Sequence, residues 1–425
     1  MTSNTVDSLR RFSEVCEDIK NTSSKNEKLR ILSNYLRRLD DESLKIACRL
    51  FSGEIFPPEQ DLEFQIGYST LVGIIMEICG IDDEYFKKVY LEHGDLGEVA
   101  EKILAKKTVE PLFKKEYVLI KFYEELKKLA TIKGKGSFSE KKKLLKRLYL
   151  NMSPLEAKYL TKIITGEMRI GLVAGLVVEG LAQAYVRKYE EVNEAYLLIN
   201  DLGDVALLAK YDKLREATLE PLHQTNFMLA EAMQTAEEIE KYFEKQLICE
   251  YKLDGVRVQC HKKDEVVRIF TRRGRESSTS FPEIVNALKK ISHDYIIDGE
   301  IIAFRDERPL PFSLLQHRLQ RKEITEKLMK EVPLTLFTYD VLYLDGEVLY
   351  KKTLVERKKA LEKLQLPEEI KLLEYTFLRK KDEIETKFNE SVMKGYEGVM
   401  LKDPDSFYTV GKRGKYWIKL KRFMI

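Results

Sequence analysis

The stretch Glu250-Tyr251-Lys252-Leu253-Asp254-Gly255-Val256-Arg257 decides how the second half of this 425-residue chain folds and what chemistry it can carry. A lysine stands between acidic residues, an Asp-Gly pair follows it, and an arginine comes five residues later. A lysine amine attacks phosphorus only when deprotonated, so its surroundings must disfavour the ammonium form through burial or nearby positive charge. Arg257 is a candidate for that charge, and Asp254-Gly255 predicts a sharp reversal of the chain. Beyond it, apolar residues alternate, so Val256, Val258 and Cys260 face a core while Arg257 faces the other way. An ordinary hairpin with exposed charges is the better reading of a lone Lys-x-Asp-Gly; the motifs downstream reverse that preference here.

Ile296-Ile297 before Asp298 and Ile301-Ile302 after Glu300 predict a buried strand carrying two carboxylates. Such groups are costly amid apolar flanks unless they meet a cation or hydrogen-bond donors. A metal ion or a ribose hydroxyl would satisfy them, and so would a structural salt bridge. Lys419 and Lys421, two apart in Trp417-Ile418-Lys419-Leu420-Lys421, share a strand face. They could neutralise an α-phosphate and a departing pyrophosphate, or simply form a solvated basic edge. Phe337, in Phe337-Thr338-Tyr339-Asp340-Val341-Leu342-Tyr343, is a candidate to stack on a purine, or else core.

These motifs, with Phe270-Thr271-Arg272-Arg273, Asp298-Gly299-Glu300 and Glu397-Gly398-Val399-Met400-Leu401-Lys402, stand in one order along the chain. In that order they resemble the nucleotidyltransferase superfamily of ATP-dependent DNA ligases, RNA ligases and messenger-RNA capping enzymes. The resemblance implies Lys252 as the nucleophile on a nucleotide α-phosphate. It places Glu250 at the adenine with Phe337 stacked on it, and Arg257, Arg272 and Glu300 at ribose and phosphate. Glu300 and Glu397 would serve a Mg2+ ion, with Mn2+ as an alternative, and Lys419 and Lys421 the α-phosphate.

The first half reads as helices. Leu29 to Leu39, Leu44 to Phe51, Phe64 to Cys79, Val118 to Leu129, Lys142 to Met152 and Leu155 to Ile164 carry apolar residues at helical spacing. Ser139 before Glu140, and Ser153-Pro154, are the expected helix starts. Strand patterning begins around Leu247, linkers are expected between Tyr211 and Gln224, and no internal repeat is visible. Gly94-Asp95-Leu96-Gly97-Glu98-Val99-Ala100, Gly134-Lys135-Gly136-Ser137 and Gly166-Glu167-Met168-Arg169-Ile170-Gly171-Leu172 resemble the helical DNA-binding domain of archaeal and eukaryotic replicative DNA ligases. By that resemblance Lys135, Ser137 and Arg169 would meet DNA, through phosphates and without reading sequence.

Composition agrees with an enzyme of two or three domains in a reducing cytosol. Five cysteines form no Cys-x-x-Cys pair, and there is neither a signal-peptide core nor a membrane-length apolar run. Net charge is only +3, so a nucleic-acid footprint must be local. Lys133 to Arg147 holds seven basic residues and one acidic, and Lys402 to Ile425 seven against two. The first cluster would serve equally as a solvated helix face.

The fold expected is multidomain: an all-α DNA-binding domain over 1–215, then an α+β nucleotidyltransferase (adenylation) domain over 216–425 with antiparallel sheets. Three departures from the ligase pattern stand out. Gln224-Thr225-Asn226-Phe227-Met228-Leu229-Ala230 lacks a proline before Met-Leu-Ala, position 253 is leucine rather than aromatic, and the chain stops at Ile425, so the C-terminal oligonucleotide-binding-fold domain and its sixth motif are expected to be absent. The resemblance implies an ATP-dependent DNA ligase sealing nicked double-stranded DNA through lysyl-AMP and a DNA-adenylate, impaired without that domain. A sliding clamp is a candidate partner and a monomer is expected. A capping-type guanylyltransferase or RNA ligase shares the Lys252 motif, and a catalytically silent nick-binding module remains the reading from another class. An NAD-dependent ligase is disfavoured by the missing zinc cysteines.

Overall fold

Ser or Asp side chains cap about half of the helices of the first half, where a loop turns into an apolar stripe. Ser8, Ser24, Asp40, Asp82, Asp95 and Ser153 each accept a backbone N–H three residues on, the geometry that satisfies an otherwise orphaned donor. The computed structural model describes residues 5–57, 60, 62–107, 116–272, 274, 276–319, 321, 323–411 and 413–421. It divides into two compact units, Met1–Tyr196 with Asp201–Ala217, and Leu197–Asn200 with Thr218–Ile425. No helix among the described residues is long and apolar enough to cross a membrane.

The first half contains twelve helices among the described residues: α1 (Leu9–Lys20), α2 (Lys25–Leu36), α3 (Asp41–Ser52), α4 (Tyr68–Cys79), α5 (Asp83–His93), α6 (Leu96–Leu104), α7 (Leu119–Thr131), α8 (Ser137–Asn151), α9 (Pro154–Thr165), α10 (Ala174–Tyr185), α11 (Tyr189–Ile199) and α12 (Leu202–Lys210). Their packing reveals a repeat that is not visible in the residue pattern. Helix α6 packs on α9 as α12 packs on α3; α4 meets α8 as α10 meets α2; α1 meets α9 as α7 meets α3. Five of the first six helices, α1 to α4 and α6, therefore have counterparts six places on, in α7 to α10 and α12, and the two sets lie against each other.

The repeat surfaces in sequence only as Asp95-Leu96-Gly97-Glu98-Val99-Ala100 and Asp201-Leu202-Gly203-Asp204-Val205-Ala206. Asp95 caps α6 and holds Lys162 of α9 at 2.7 Å, while Asp201 caps α12 and holds Arg49 of α3 through its Nε at 2.9 Å. The glycine two residues on lets the helices touch. A Cβ on Gly97 would stand 2.6 Å from Lys162 Cγ, and one on Gly203 2.7 Å from Arg49 Nε.

One expected helix start moves. Gly134 and Gly136 are both left-handed, at φ 93° and 88°, and Gly136 already accepts the Glu140 N–H at 3.3 Å. Helix α8 thus begins at Ser137, and Ser139 lies within its first turn. Ser153-Pro154 does open α9, with a reciprocal capping box to Glu156.

The second half contains β1 (Leu229–Ala232), α13 (Ala236–Tyr242), β2 (Leu247–Lys252), β3 (Val256–Lys263), β4 (Val266–Thr271), α14 (Pro282–Lys289), β5 (Tyr295–Arg305), β6 (Arg308–Pro309), α15 (Phe312–Leu319), α16 (Glu326–Glu331), β7 (Leu334–Leu344), β8 (Glu347–Val348), α17 (Leu354–Glu362), β9 (Ile370–Leu372), β10 (Tyr375–Leu378), α18 (Lys381–Met393), β11 (Gly398–Lys402) and β12 (Arg413–Lys421). One sheet runs β1-β12-β11-β2-β10 and the other β4-β3-β5-β7-β8, with β6 on β5 and β9 on β7. Pairing is antiparallel except for β1 with β12 and β7 with β9. Strand β1 lies before Leu247, where patterning gives no sign of it, because it is a four-residue edge segment whose partner among the described residues is the distant β12.

Each sheet buries one face against helices. Cys249, Val399, Leu401, Ile418 and Leu420 pack with α13 and α18, while Val258, Cys260, Ile297, Ile301 and Val341 form a core with Ile284, Leu288, Leu315 and Leu361. Val258 and Cys260 thus point into the core as alternation predicts, with Val256 partly buried beside them.

The Asp254-Gly255 step is not a hairpin. Strand β2 belongs to one sheet and β3 to the other, so the chain crosses between sheets immediately after Lys252. Gly255 is required for closeness rather than for a turn, since a Cβ there would overlap the Ile301 carbonyl and the Ile302 side chain.

Candidate active site

A cavity of about 210 Å³ opens between the two sheets of the second unit. Its lining includes Glu250, Lys252, Arg257, Arg272, Glu300, Tyr339, Met400, Lys402, Trp417 and Lys419. Register explains the first wall. Glu250 pairs with Met400, which pairs with Lys419, and Lys252 pairs with Gly398, which pairs with Lys421. Directly opposed residues share a face and side chains repeat every second residue, so Glu250, Lys252, Lys402, Trp417, Lys419 and Lys421 project together away from the α13–α18 core.

Lys252 Nζ donates to Glu397, whose other oxygen lies 3.3 Å from Lys421 Nζ. The Glu397 N–H donates to the Lys252 carbonyl at 3.0 Å, which fixes the pair from the backbone. Burial pushes the Glu397 carboxyl up, but the two lysines more than offset this and hold it below the usual range. Glu397 and Lys421 do not line the cavity themselves; they reach it through Lys252.

Arg257 does not act as a free charge beside Lys252. Its Nε and Nη2 donate to Asp298 at 3.1 and 2.7 Å, and Nη1 donates to the Met228 carbonyl at 2.7 Å. Its guanidinium also lies over the rings of Phe227 and Trp417. Asp298 further accepts from Tyr408 at 2.7 Å and Tyr339 at 3.2 Å. Of the two carboxylates expected to seek a cation or donors, Asp298 is therefore a structural salt bridge.

Glu300 is different. It faces the cavity half-buried, with no hydrogen-bond partner among the described residues, and burial pushes its carboxyl up to about 8 despite Arg257 and Lys252. Arg272, exposed at the end of β4, also lines the cavity; Arg273 lies outside the described residues.

Phe337 is not where stacking requires it. It pairs regularly with Glu300 and packs edge-on against Phe304, with ring centroids 5.2 Å apart, outside the cavity lining. The ladder then slips: Gly299 pairs with Thr338 but Asp298 with Asp340, leaving Tyr339 as the extra residue of a bulge. Bulges re-aim a side chain, and Tyr339, unlike Phe337, lines the cavity, as Tyr251 and Trp417 of the other sheet also do. Gly299 permits this, because a Cβ would come within 2.7 Å of the Phe337 carbonyl.

Two lysines outside the candidate set hold Glu250, Lys402 in the cavity wall and Lys358 behind it. Lys402 donates to Glu250 at 2.6 Å and lies 4.3 and 4.1 Å from the ring centroids of Tyr339 and Trp417. Lys358 of α17 donates to the other Glu250 oxygen. Burial pushes the Glu250 carboxyl up, and the two ammonium charges more than reverse this. Lys402 closes the quoted motif that begins at Glu397, so a signal for it existed; Lys358 had none. The buried Trp417 indole N–H has no partner among the described residues.

For a metal, no group of three or more His, Cys, Asp or Glu side chains is assembled among the described residues. Mg2+ characteristically takes one or two carboxylates plus substrate phosphates and water. Glu300 and Glu397 fit that donor set.

In the helical unit, Lys135 is exposed in the loop before α8, and Ser137 is that helix's first residue. Arg169, itself left-handed at φ 48°, donates to the Gly94 carbonyl at 3.2 Å and pairs with Glu167 at 2.5 Å, so the two Gly-rich motifs adjoin. Much of the basic run is internally engaged. Lys142 and Lys146 hold Glu77, Arg147 holds Glu125, and Lys141 is buried against the Phe64 carbonyl at 2.7 Å.

A family model described as "ATP dependent DNA ligase domain" matches residues 227–421, and one described as "DNA ligase N terminus" matches 8–182. The chain is 35% identical over 413 residues to the DNA ligase of Methanoculleus marisnigri, covering 96% of this chain and 74% of that protein. It is 35% identical over 419 residues to the DNA ligase of Archaeoglobus fulgidus, covering 97% and 75%. A solved structure described as "Pmar-Lig_PreS3" shares the fold at 17% identity, with a TM-score of 0.53 over 97% of this chain and 78% of that one. With both halves matched, the chain belongs to the ATP-dependent DNA ligase family.

Proposed function

We propose that this ligase seals nicks in duplex DNA through a Lys252–AMP intermediate. The observation that carries the reading is the placement of Lys252 at the edge of a cavity whose inner end pairs a buried acceptor, Glu250, with a buried donor, Lys402. Adenine presents a 6-amino donor beside a ring-nitrogen acceptor, the complement of that pair. Tyr339 would cover the base, and Glu300 and Arg272 would reach the ribose.

In the first step Lys252 Nζ, having lost its proton, bonds to the α-phosphorus of ATP as the bond to pyrophosphate breaks. The adenylyl group then passes to the 5′-phosphate oxygen at the nick, breaking the P–N bond. Finally the 3′-hydroxyl attacks that 5′-phosphorus and expels AMP. Lys419 and Lys421 offset charge at the α-phosphate, where positioning and electrostatics supply nearly all of the catalysis. Magnesium, held by Glu300 and Glu397 with the nucleotide phosphates, would neutralise charge on the triphosphate. Lys135, Lys143 and the amides opening α8 would meet DNA phosphates.

A denaturing gel of a nicked duplex labelled at its 5′-phosphate, incubated with the protein and Mg-ATP, tests the reading. DNA-adenylate or sealed strand is expected. Neither product, with GTP charging the protein in place of ATP, would favour a capping-type enzyme instead.

A further inference from the structure

Glu250 is held from two sides. Lys402, which lines the cavity, takes one carboxylate oxygen, and Lys358, which does not line it, takes the other from behind. All three side chains are 2% exposed or less. One lysine suffices to neutralise one carboxylate, and burying a second ammonium carries a desolvation cost that charge balance alone does not call for. The second lysine therefore has to be explained by what it touches.

Lys358 Nζ also donates to the Tyr339 carbonyl at 3.1 Å and lies over the Tyr375 ring, 4.6 Å from its centroid. Its neighbour Arg357 grips Asp340 with two hydrogen bonds of 2.7 and 2.9 Å, and also donates to the Lys352 and Ser406 carbonyls. Successive cations of α17 thus hold successive residues of β7, at the bulge that aims Tyr339 into the cavity. Lys358 joins that bulge to Glu250, so one ammonium ties together a group placed at the base edge and a ring placed at the base face, on different sheets.

We propose that Lys358 is a positioning residue for nucleobase selection: it fixes the Glu250 carboxylate toward the 6-position of a purine and locks it to the Tyr339 bulge. The inference rests on the reading that this cavity takes ATP. A carboxylate held in that place accepts from the 6-amino group of adenine and repels the 6-oxygen of guanine. Without Lys358, Glu250 is free to swing toward Lys402, and the acceptor leaves the base edge.

The test compares binding of ATP with binding of purine riboside triphosphate, which lacks the 6-amino group, by titration calorimetry. The unaltered chain should favour ATP by at least about tenfold, the scale of a hydrogen bond to a charged group. Lys358→Met should bring the ratio within about threefold of one. If that variant does not fold, Lys358→Gln replaces it, with a fall of at least about threefold. In a Glu250→Gln background, Lys358→Met should shift the ratio no further, as for residues acting through one shared interaction. A folded variant with the original ratio, an equal loss for both triphosphates, or an added shift in the Glu250→Gln background overturns the inference. No ATP binding by the unaltered chain would instead strike the cavity reading itself, and is seen before any variant is made.

Discussion

Lys252 and Glu397 form an ion pair across the β2–β11 ladder, and the same carboxylate lies 3.3 Å from Lys421. The nucleophile candidate therefore rests as a donor to a group that a magnesium ion would also use. A phosphate arriving beside Lys252 competes with that carboxylate, and a cation taken up by Glu397 would release the amine.

Glu397→Gln follows from this relationship. The pair is partly exposed, so its removal should change melting only slightly. Self-adenylylation with Mg-ATP should nevertheless slow by about tenfold or more, as for loss of one charge-stabilising group. An unchanged or faster rate, read from single-turnover charging, would make Glu397 only a resting partner of Lys252.

Tyr339 and Phe337 should separate cleanly. Tyr339→Ala should weaken ATP binding by about tenfold or more, on the scale of one base–aromatic stack. Phe337→Ala should instead cost about 3–5 kcal/mol of stability, as for a large core truncation. Calorimetric titration and thermal melting of both variants check this; a greater loss of nucleotide affinity in the Phe337 variant would restore that residue to the site.

This pair also shows where the sequence stops being legible. Glu250, Lys252, Arg257, Arg272, Glu300 and Lys419 line one cavity as the motif order implies, because each motif sits on a strand whose alternation can be read. Tyr339 rather than Phe337 reaches the cavity because the bulge at Tyr339 interrupts that alternation, and the bulge depends on Gly299 in a different strand. Asp254-Gly255 looked like a hairpin turn because local residues do not reveal that β2 and β3 join different sheets. Lys358 lies 106 positions from Lys252 on a helix with ordinary composition, so only folding brings it to Glu250. The helical repeat hides because its loops differ in length and its one shared segment spans six residues.

DNA binding should depend on the exposed part of the basic cluster. Lys135→Glu with Lys143→Glu should weaken binding to a nicked duplex at all sequences. The log–log salt slope should shallow by roughly one unit for each phosphate that is no longer neutralised. Lys141→Glu should act differently, because that side chain is buried against the Phe64 carbonyl; a charge left unpaired there should cost about 3–5 kcal/mol of stability. Fluorescence anisotropy across a salt series and thermal melting distinguish the cases, and unchanged affinity in the double reversal would leave the cluster a solvated face.

His261 predicts acid lability. Burial, with His223 and Arg268 adding to it, holds the imidazole pKa down to about 3, and Nδ1 accepts the Leu222 N–H at 3.1 Å. The unfolded chain, with an ordinary histidine pKa near 6.5, binds the proton that the folded chain refuses. This contribution is therefore fully present above about pH 6.5 and is lost as pH falls toward about 3. His261→Gln should flatten the pH dependence of stability between pH 6 and 4 by up to about 1.4 kcal/mol per pH unit. Parallel denaturation profiles for the two proteins would contradict this.

The chemistry stands or falls with one covalent bond. Intact-mass measurement after incubation with Mg-ATP should show a gain of one AMP per chain, released by hydroxylamine or acid as a phosphoramide requires. Lys252→Arg, which keeps the positive charge facing Glu397 but stays protonated, should show no gain while melting as the unaltered protein does. An adduct of undiminished yield in Lys252→Arg, or no adduct on the unaltered chain, would contradict Lys252 as the nucleophile.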